Sequence, residues 1–384
     1  MEFRSCTTHS LGAEVELQLL DARTLDLADG IIPLIEFYPA STRIKPDLIQ
    51  SCVEMCTPVC ADSSAAIRSI ATLLDPLQAR CEELGMALAG AGTHAFGERL
   101  ALITPLPRYQ AMGREHGYLG HHQITFAMHL HVGMRSGDEA IRVMRRLTPC
   151  LPALLALAAN SPFWRGYDTM YACYRQRILA SSRHYGRPAY FDGWRDFQAF
   201  FALAQRTGTI STIKDIHWDI RPQPDLGTIE LRVMDCPSSL TAMVALMAFA
   251  RSLVVHVADA TDSELDGRLP PQLPDWMEAD NYHRASHRGL EAEVIADGTG
   301  RRASLREQVN ALVDLIRPTA AQLGELVNLR RLETSLLREP GYARQRELDW
   351  RQHSRRDVVD GLRQDLLARP AELLGTMARA SGAD

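Results

Sequence analysis

The 384-residue sequence predicts an α+β fold: an antiparallel sheet with one concave working face, flanked by helices. Three observations predict it. Strand-length segments recur in which polar and apolar residues alternate, so each has one oily and one polar side. Long segments with helical signals separate them. The polar sides repeat one chemistry, carboxylates with imidazoles and arginines, as residues sharing a single surface would.

The first such segment is residues 11–20, LGAEVELQLL, where Glu14, Glu16 and Gln18 point one way and Val15, Leu17 and Leu19 the other. After a turn-rich link through LDLADG, residues 51–60, SCVEMCTPVC, read as a second strand that carries Glu54 and is ended by Pro58. A helix is expected over about 63–85, with Asp62 and Ser63 as cap candidates, and MALAGAGTHAF as a strand of small residues behind it. The strand at about 122–134 contains HLHVGM, in which His129 and His131 share a face opposite Met128, Leu130 and Val132. Asp138 starts a long apolar helix through Leu157. The irregular stretch NSPFWRGYDTMYACYRQR is dense in aromatics and arginines, a composition and length that point to function. A helix at about 192–206 precedes a loop and the third alternating segment, TIELRVMD, residues 228–235, where Glu230 and Arg232 project together. Residues 239–257 form an apolar helix, PPQLP breaks the pattern beyond Asp262, and 276–380 reads as mostly helical. The expectation is a single catalytic domain, 1–384, with a mostly helical C-terminal part from about 262.

An apolar fraction of 46% with 23% charged residues disfavours disorder. No run approaches the roughly 18–20 apolar residues of a membrane helix, and MEFRSCTTHS lacks the apolar core of a secretory signal, so a cytoplasmic protein without membrane contact is expected. The eight dispersed cysteines fit reduced thiols better than a disulfide framework. Of 42 basic residues only Lys45 and Lys214 are lysine, and the net charge is −5. That argues against a nucleic-acid partner, and neither lysine has the context of a phosphate-binding loop or of a kinase. A nucleotide bound here must have its phosphates held by metal and arginine.

Two carboxylates at i and i+2 on a half-buried strand face repel each other and lose hydration, so such a face calls for a compensating cation. The residues collected on the expected surface are Glu14, Glu16, Glu54, His129, His131, Glu230, Arg221 and Arg232. Carboxylates outnumber imidazoles, which suits the hard cations Mg²⁺ or Mn²⁺. Phosphates bridged by such metals, with arginines neutralising the moving phosphoryl group, make an ATP site that needs no glycine loop.

These segments also carry a family likeness. LGAEVELQLL, SCVEMCTPVC, AGTHAF, HLHVGM, ANSPFWRGYDT, the run IKDIHWDIRPQPDLGTIELRVMD and LEAEVIADGTGRR together resemble the carboxylate-amine ligases of the glutamate–cysteine ligase type 2 family, in family order over nearly the whole chain. The resemblance implies a glutamine synthetase-like fold and ATP-dependent amide formation through an acyl phosphate. Glutamate or another carboxylate would be the donor and cysteine or another amine the acceptor, with weak glutamate–cysteine ligase activity and a possible homodimer. It implies Glu14, Glu16, Glu54, one of His129 or His131, and Glu230 as metal ligands, with Arg232 and Arg221 on phosphate or carboxylate. DTMYACYR departs from the family, with Met170 and Cys173 in place of glycine and serine. The loop is expected to border the acceptor site, with Tyr171, Tyr174 and Arg175 as candidate substrate contacts.

Two other readings compete. The histidine pair also suits a zinc-dependent hydrolase or lyase, with a third ligand from His94, His121, His122 or His217, but that leaves the aligned glutamates unexplained. A non-catalytic metal- or nucleotide-binding regulator would bind without turnover.

Overall fold

A computed structural model describes residues 1–370 and Leu373. Seven strands form one antiparallel sheet: β1 (Leu11–Asp21), β2 (Ile44–Pro46), β3 (Cys52–Cys56), β4 (Met86–Ala89), β5 (Met128–Gly133), β6 (Ile220–Gln223) and β7 (Thr228–Leu231). Their order is β6-β7-β5-β1-β3-β2, with β4 paired to the far end of β1. β1 is central, and its apolar side chains Leu11, Ala13, Val15, Leu17 and Leu19 are buried in the core. A one-residue slip of β1 would turn all five to the polar face, a cost on the order of 10 kcal/mol, so the register is fixed by burial.

Helices α1 (Ser63–Glu83), α2 (Gly137–Leu147) and α3 (Leu240–Asp259) pack behind the sheet. α1 starts where the cap residues predict, with the Asp62 side chain accepting from the Ala65 backbone N–H at 2.7 Å. Its first residue is held from outside as well, since the Ser63 backbone N–H and hydroxyl both donate to the buried Glu325 carboxylate. α3 is 20 residues long and apolar enough by length and composition to cross a membrane, although its longest unbroken apolar run is only Ala242–Ala250, well short of the roughly 18–20 residues of a membrane span. Most of it is enclosed by protein, and α1, α2 and two C-terminal helices pack against it.

Several elements differ from expectation. The helix expected through Leu157 is broken: α2 starts from a Ser136 cap and ends at Leu147, and a tight turn at Thr148–Cys150 leads into a second helix, Leu151–Ala158. Pro149 and Pro152 lack the N–H that a continuous helix needs. The histidine strand is shorter than expected, because His121 and His122 end a short helix, Tyr118–His122. The stretch leading to Glu230 is not all loop, since β6 puts Arg221 in the sheet.

The C-terminal part is mostly helical, as expected: α4 (Asp275–Arg288), α5 (Leu305–Gln322), α6 (Leu326–Thr334), Gly341–Gln352 and Arg355–Leu367, with a small hairpin of Glu293–Ile295 and Arg302–Ser304. Residues 371, 372 and 374–380 of the expected helical stretch lie outside the described residues. α5 and α6 pack on α3, so this part shares the core of the sheet.

Candidate active site

Strand register brings the polar residues into rows, because directly opposed residues in an antiparallel pair point to the same face. One row runs Cys56–Glu14–His129, the next Lys45–Glu54–Glu16, and a third His131–Glu230–Arg221. Seven of the eight residues collected from the sequence therefore share one side of the sheet, and Arg232, just past β7, joins them through Glu230 and His129. His129 lies between the first two glutamates, its Nδ1 3.5 Å from Glu14 and its Nε2 3.8 Å from Glu16. The His131 Nε2 is 3.8 Å from Glu14 and 3.9 Å from Glu230.

Glu230 is the most tightly held carboxylate. Arg221 donates to it through Nε at 2.7 Å, Gln223 through Nε2 at 2.7 Å, and Arg232 through one guanidinium nitrogen. Burial would raise its pKa, but Arg221 and Arg232 outweigh it and hold the carboxyl well below the usual range. Burial likewise opposes ionisation of Glu14, yet the His129 hydrogen bond and the field of His131 bring it down to about 2. Glu16 goes the other way, raised well above the usual range by burial and by Asp47. Glu54 is pushed up to about 7 by burial and by Glu14. For His129, burial and the nearby Arg232 lower the pKa to about 4. The face thus holds neighbouring carboxylates of unequal acidity beside a neutral imidazole.

Two sets of residues offer ligand atoms close enough to share one cation: Glu14 with His131 and Glu230, and Glu14 with Glu54 and Cys56. A sharper sign is that the Nε2 atoms of His129 and His131 are both buried without a hydrogen-bond partner. Buried polar atoms are rarely left so, and here one faces Glu16 and the other Glu14 and Glu230, an arrangement that fits a divalent cation among them. The mainly oxygen donor set suits Mg²⁺ or Mn²⁺.

The structure does not bring every candidate to this face. Tyr171 and Tyr174 spend their contacts on each other, on Trp164 and on His283 and His287 of α4, none of which is a sheet-face residue. Arg175 reaches the site from behind: its buried guanidinium donates to the backbone carbonyls of Arg232 and Val233 and lies 3.8 Å from Asp235. Cys173 is buried, with its thiol on Asp235 at 3.2 Å. Of the histidines considered as third zinc ligands, His94 has both ring nitrogens engaged, by the Leu25 carbonyl and the Gly97 N–H, and His121 bonds the Ala101 carbonyl. His217 stacks on Tyr185 with ring centroids 4.6 Å apart.

Sequence reasoning missed Lys45, Asp47 and Tyr185. The Lys45 ammonium is 2.7 Å from Glu54. Asp47 is raised chiefly by burial and feels both Arg232 and Glu14, while Tyr185 is pushed up to about 12 by burial beside Arg232. For Lys45 and Asp47 a signal existed, since the two alternate within IKPD, but Pro46 disguises so short a strand.

The family model "Glutamate-cysteine ligase family 2(GCS2)" matches residues 10–364. A protein of Trichormus variabilis named "Putative glutamate--cysteine ligase 2" is 43% identical over 368 residues, covering 96% of this chain and 95% of its own. A relative of the same name from Bdellovibrio bacteriovorus is 33% identical, covering 92% and 93%. Among solved structures, the glutamate–cysteine ligase of Francisella tularensis in complex with AMP matches with TM-score 0.65 at 14% identity, covering 97% of this chain and 92% of that one. A bifunctional glutathione synthetase of Pasteurella multocida gives 0.69 at 12% identity, covering 93% and 52%. At such identities the structures attest the fold, which is glutamine synthetase-like. The sequence match goes further, and the chain belongs to glutamate–cysteine ligase family 2.

Proposed function

We propose that this protein is an ATP-dependent carboxylate-amine ligase that works through an acyl phosphate, with glutamate as the first donor to test and cysteine or another amine as acceptor. The observation that carries the reading is the sheet face itself, where two imidazoles with unpartnered Nε2 atoms and crowded carboxylates adjoin two arginines on Glu230. Glu14, Glu16, one of His129 or His131, and Glu230 would hold Mg²⁺ or Mn²⁺. Bound there, such a cation would neutralise phosphate charge and help to orient the group transferred. Binding of a nucleotide is supported by the AMP-bound Francisella ligase of the same fold.

The donor carboxylate oxygen attacks the γ-phosphorus, the bond to the β-bridging oxygen breaks, and ADP leaves. Arg232 takes the charge that develops on the transferring group, since its guanidinium stands at the mouth of the Glu230 clamp. Arg221, buried and bound to Glu230 and to two backbone carbonyls, fixes that carboxylate. Arg175 braces the strand from its backbone side, so its role here is positioning. The amine then attacks the acyl carbon, its proton passes to solvent or to a neighbouring base, and phosphate leaves. Tyr171 and Tyr174 are proposed to border the acceptor's path on the loop at 163–175.

Hydroxylamine tests this reading. With ATP, Mg²⁺ and glutamate the protein should form a hydroxamate together with ADP and phosphate, and EDTA should stop it. AMP and pyrophosphate would mean adenylation and would refute the phosphorylation step. ATP binding without any product from a panel of carboxylic acids would favour the regulator.

A further inference from the structure

Glu54 was counted from the sequence as a metal ligand, but its surroundings show a cation already delivered by the chain. β2 pairs with β3 so that Lys45 lies directly across from Glu54. Its Nζ sits 2.7 Å from Oε1, and the same oxygen accepts from the Cys56 thiol at 2.9 Å. On the other side Glu54 is opposed by Glu16. Without Lys45, therefore, this end of the face would hold two adjacent carboxylates with no compensating charge in either strand.

The choice of residue is itself informative. Only two of the 42 basic residues are lysine, and the other, Lys214, is exposed in a surface turn. Other buried carboxylates among the described residues are paired with arginine, as Glu230 is with Arg221 and Arg232, Glu325 with Arg251 and Glu278 with Arg187. A guanidinium is a broad planar fork, whereas an ammonium is a compact point charge with three rotatable donors, nearer in size and charge density to a bound metal ion.

We infer that Lys45 is a tethered replacement for a divalent cation at Glu54, so that the metal-binding part of the face is confined to Glu14, Glu16, Glu230 and the two histidines. The inference rests on the proposed metal-dependent reading for the meaning of the face, and concerns how many ions it takes. It assigns Lys45 two tasks. It neutralises Glu54 without the dissociation that a free ion undergoes, and it bars a second ion from the Glu14–Glu54–Cys56 set. Lys45 is a positioning residue in this account, setting which carboxylates remain free for metal.

The test is a count of bound Mn²⁺ per chain by equilibrium dialysis with electron paramagnetic resonance, without ATP or substrate, on the wild type, Lys45→Met and the double variant Lys45→Met/Glu54→Gln, each checked for folding by circular dichroism. Lys45→Met should bind one more Mn²⁺ than the wild type, and the double variant should return to the wild-type number. Equal counts in wild type and Lys45→Met, including none in either, would overturn the inference, as would an extra ion that persists after Glu54→Gln. Because the readout is binding rather than turnover, it stands apart from the hydroxamate assay: an inactive protein that gains one ion in Lys45→Met sinks the ligase reading and keeps this one. If Lys45→Met does not fold, Lys45→Gln gives the same comparison with a polar side chain of similar length.

Discussion

At the scale of single residues, the site depends on carboxylates that are costly to the fold. Glu14 and Glu16 face the same way from β1, with Glu54 beside them; burial raises Glu16 and Glu54, opposed at Glu54 by the Lys45 ammonium, while His129 and His131 hold Glu14 down. Replacing Glu14 by Gln removes a charge and a ligand but little volume. ATP turnover should fall by about 10²-fold or more, as for loss of one preorganised electrostatic group, while the metal-free melting temperature stays level or rises. Turnover near wild type would remove Glu14 from the metal set. Arg232→Lys should be nearly as harmful as Arg232→Ala, because one ammonium cannot contact Glu230 and a phosphate oxygen as a planar fork does. A lysine variant with most of the activity would mean that Arg232 supplies charge alone.

His94 offers a pH test away from the face. Burial lowers its pKa to about 4, although the Leu25 carbonyl favours the charged form. A buried neutral histidine contributes fully above the unfolded pKa of about 6.5 and loses that contribution as pH falls towards the folded value. The stability advantage of wild type over His94→Gln should therefore shrink between about pH 6.5 and pH 4, by on the order of 3 kcal/mol. Urea denaturation of both proteins across that range measures it, and a constant difference would show that burial does not lower the His94 pKa.

At the scale of elements, one buried tie joins three helices. Glu325, fully buried just before α6, binds the first residue of α1 and pairs with Arg251 of α3 at 2.8 Å. Truncating it leaves Arg251 buried without its carboxylate and the Ser63 backbone N–H without its acceptor, although the Asp62 cap of α1 remains. Glu325→Ala should cost about 3–5 kcal/mol, the usual penalty for removing one partner of a buried pair, read as a lower denaturant midpoint. A loss below about 1 kcal/mol would mean that water replaces the carboxylate.

Elements also show what the sequence discloses. Alternation exposed β1, β5 and β7 because period two is unmistakable when charged residues alternate with Leu, Ile and Val, and those strands carry most of the site. β2 escaped because three residues containing Pro46 look like a turn. The break after Leu147 escaped because the apolar pattern continues through Pro149 and Pro152, which only the backbone feels. The loop around Tyr171 is rich in functional residue types, but its aromatic rings pack against α4, a tertiary partner more than a hundred residues away that no local pattern announces. Met170 in that loop has φ +64°, a conformation that favours glycine, which accounts for the family's glycine there without assigning a substrate contact.

At the scale of the whole molecule, one apolar core joins the sheet, its backing helices and the C-terminal helices, so occupation of the face should be felt by global unfolding. A ligand at a hundred times its dissociation constant adds about 2.7 kcal/mol to stability. Mn²⁺ should raise the melting temperature of the wild type and do little for Glu230→Gln, and an equal shift in both would place the metal elsewhere.

The central claim is that a carboxylate is activated by phosphorylation on this face, and oxygen tracing tests it most directly. If the donor is supplied with ¹⁸O in its carboxylate, one labelled oxygen attacks the γ-phosphorus and leaves with phosphate when the amine displaces it. Mass spectrometry of the phosphate released during amide or hydroxamate formation should find one ¹⁸O for each product molecule. Unlabelled phosphate accompanying the same product would contradict the account, because the donor oxygen would never have been bonded to phosphorus.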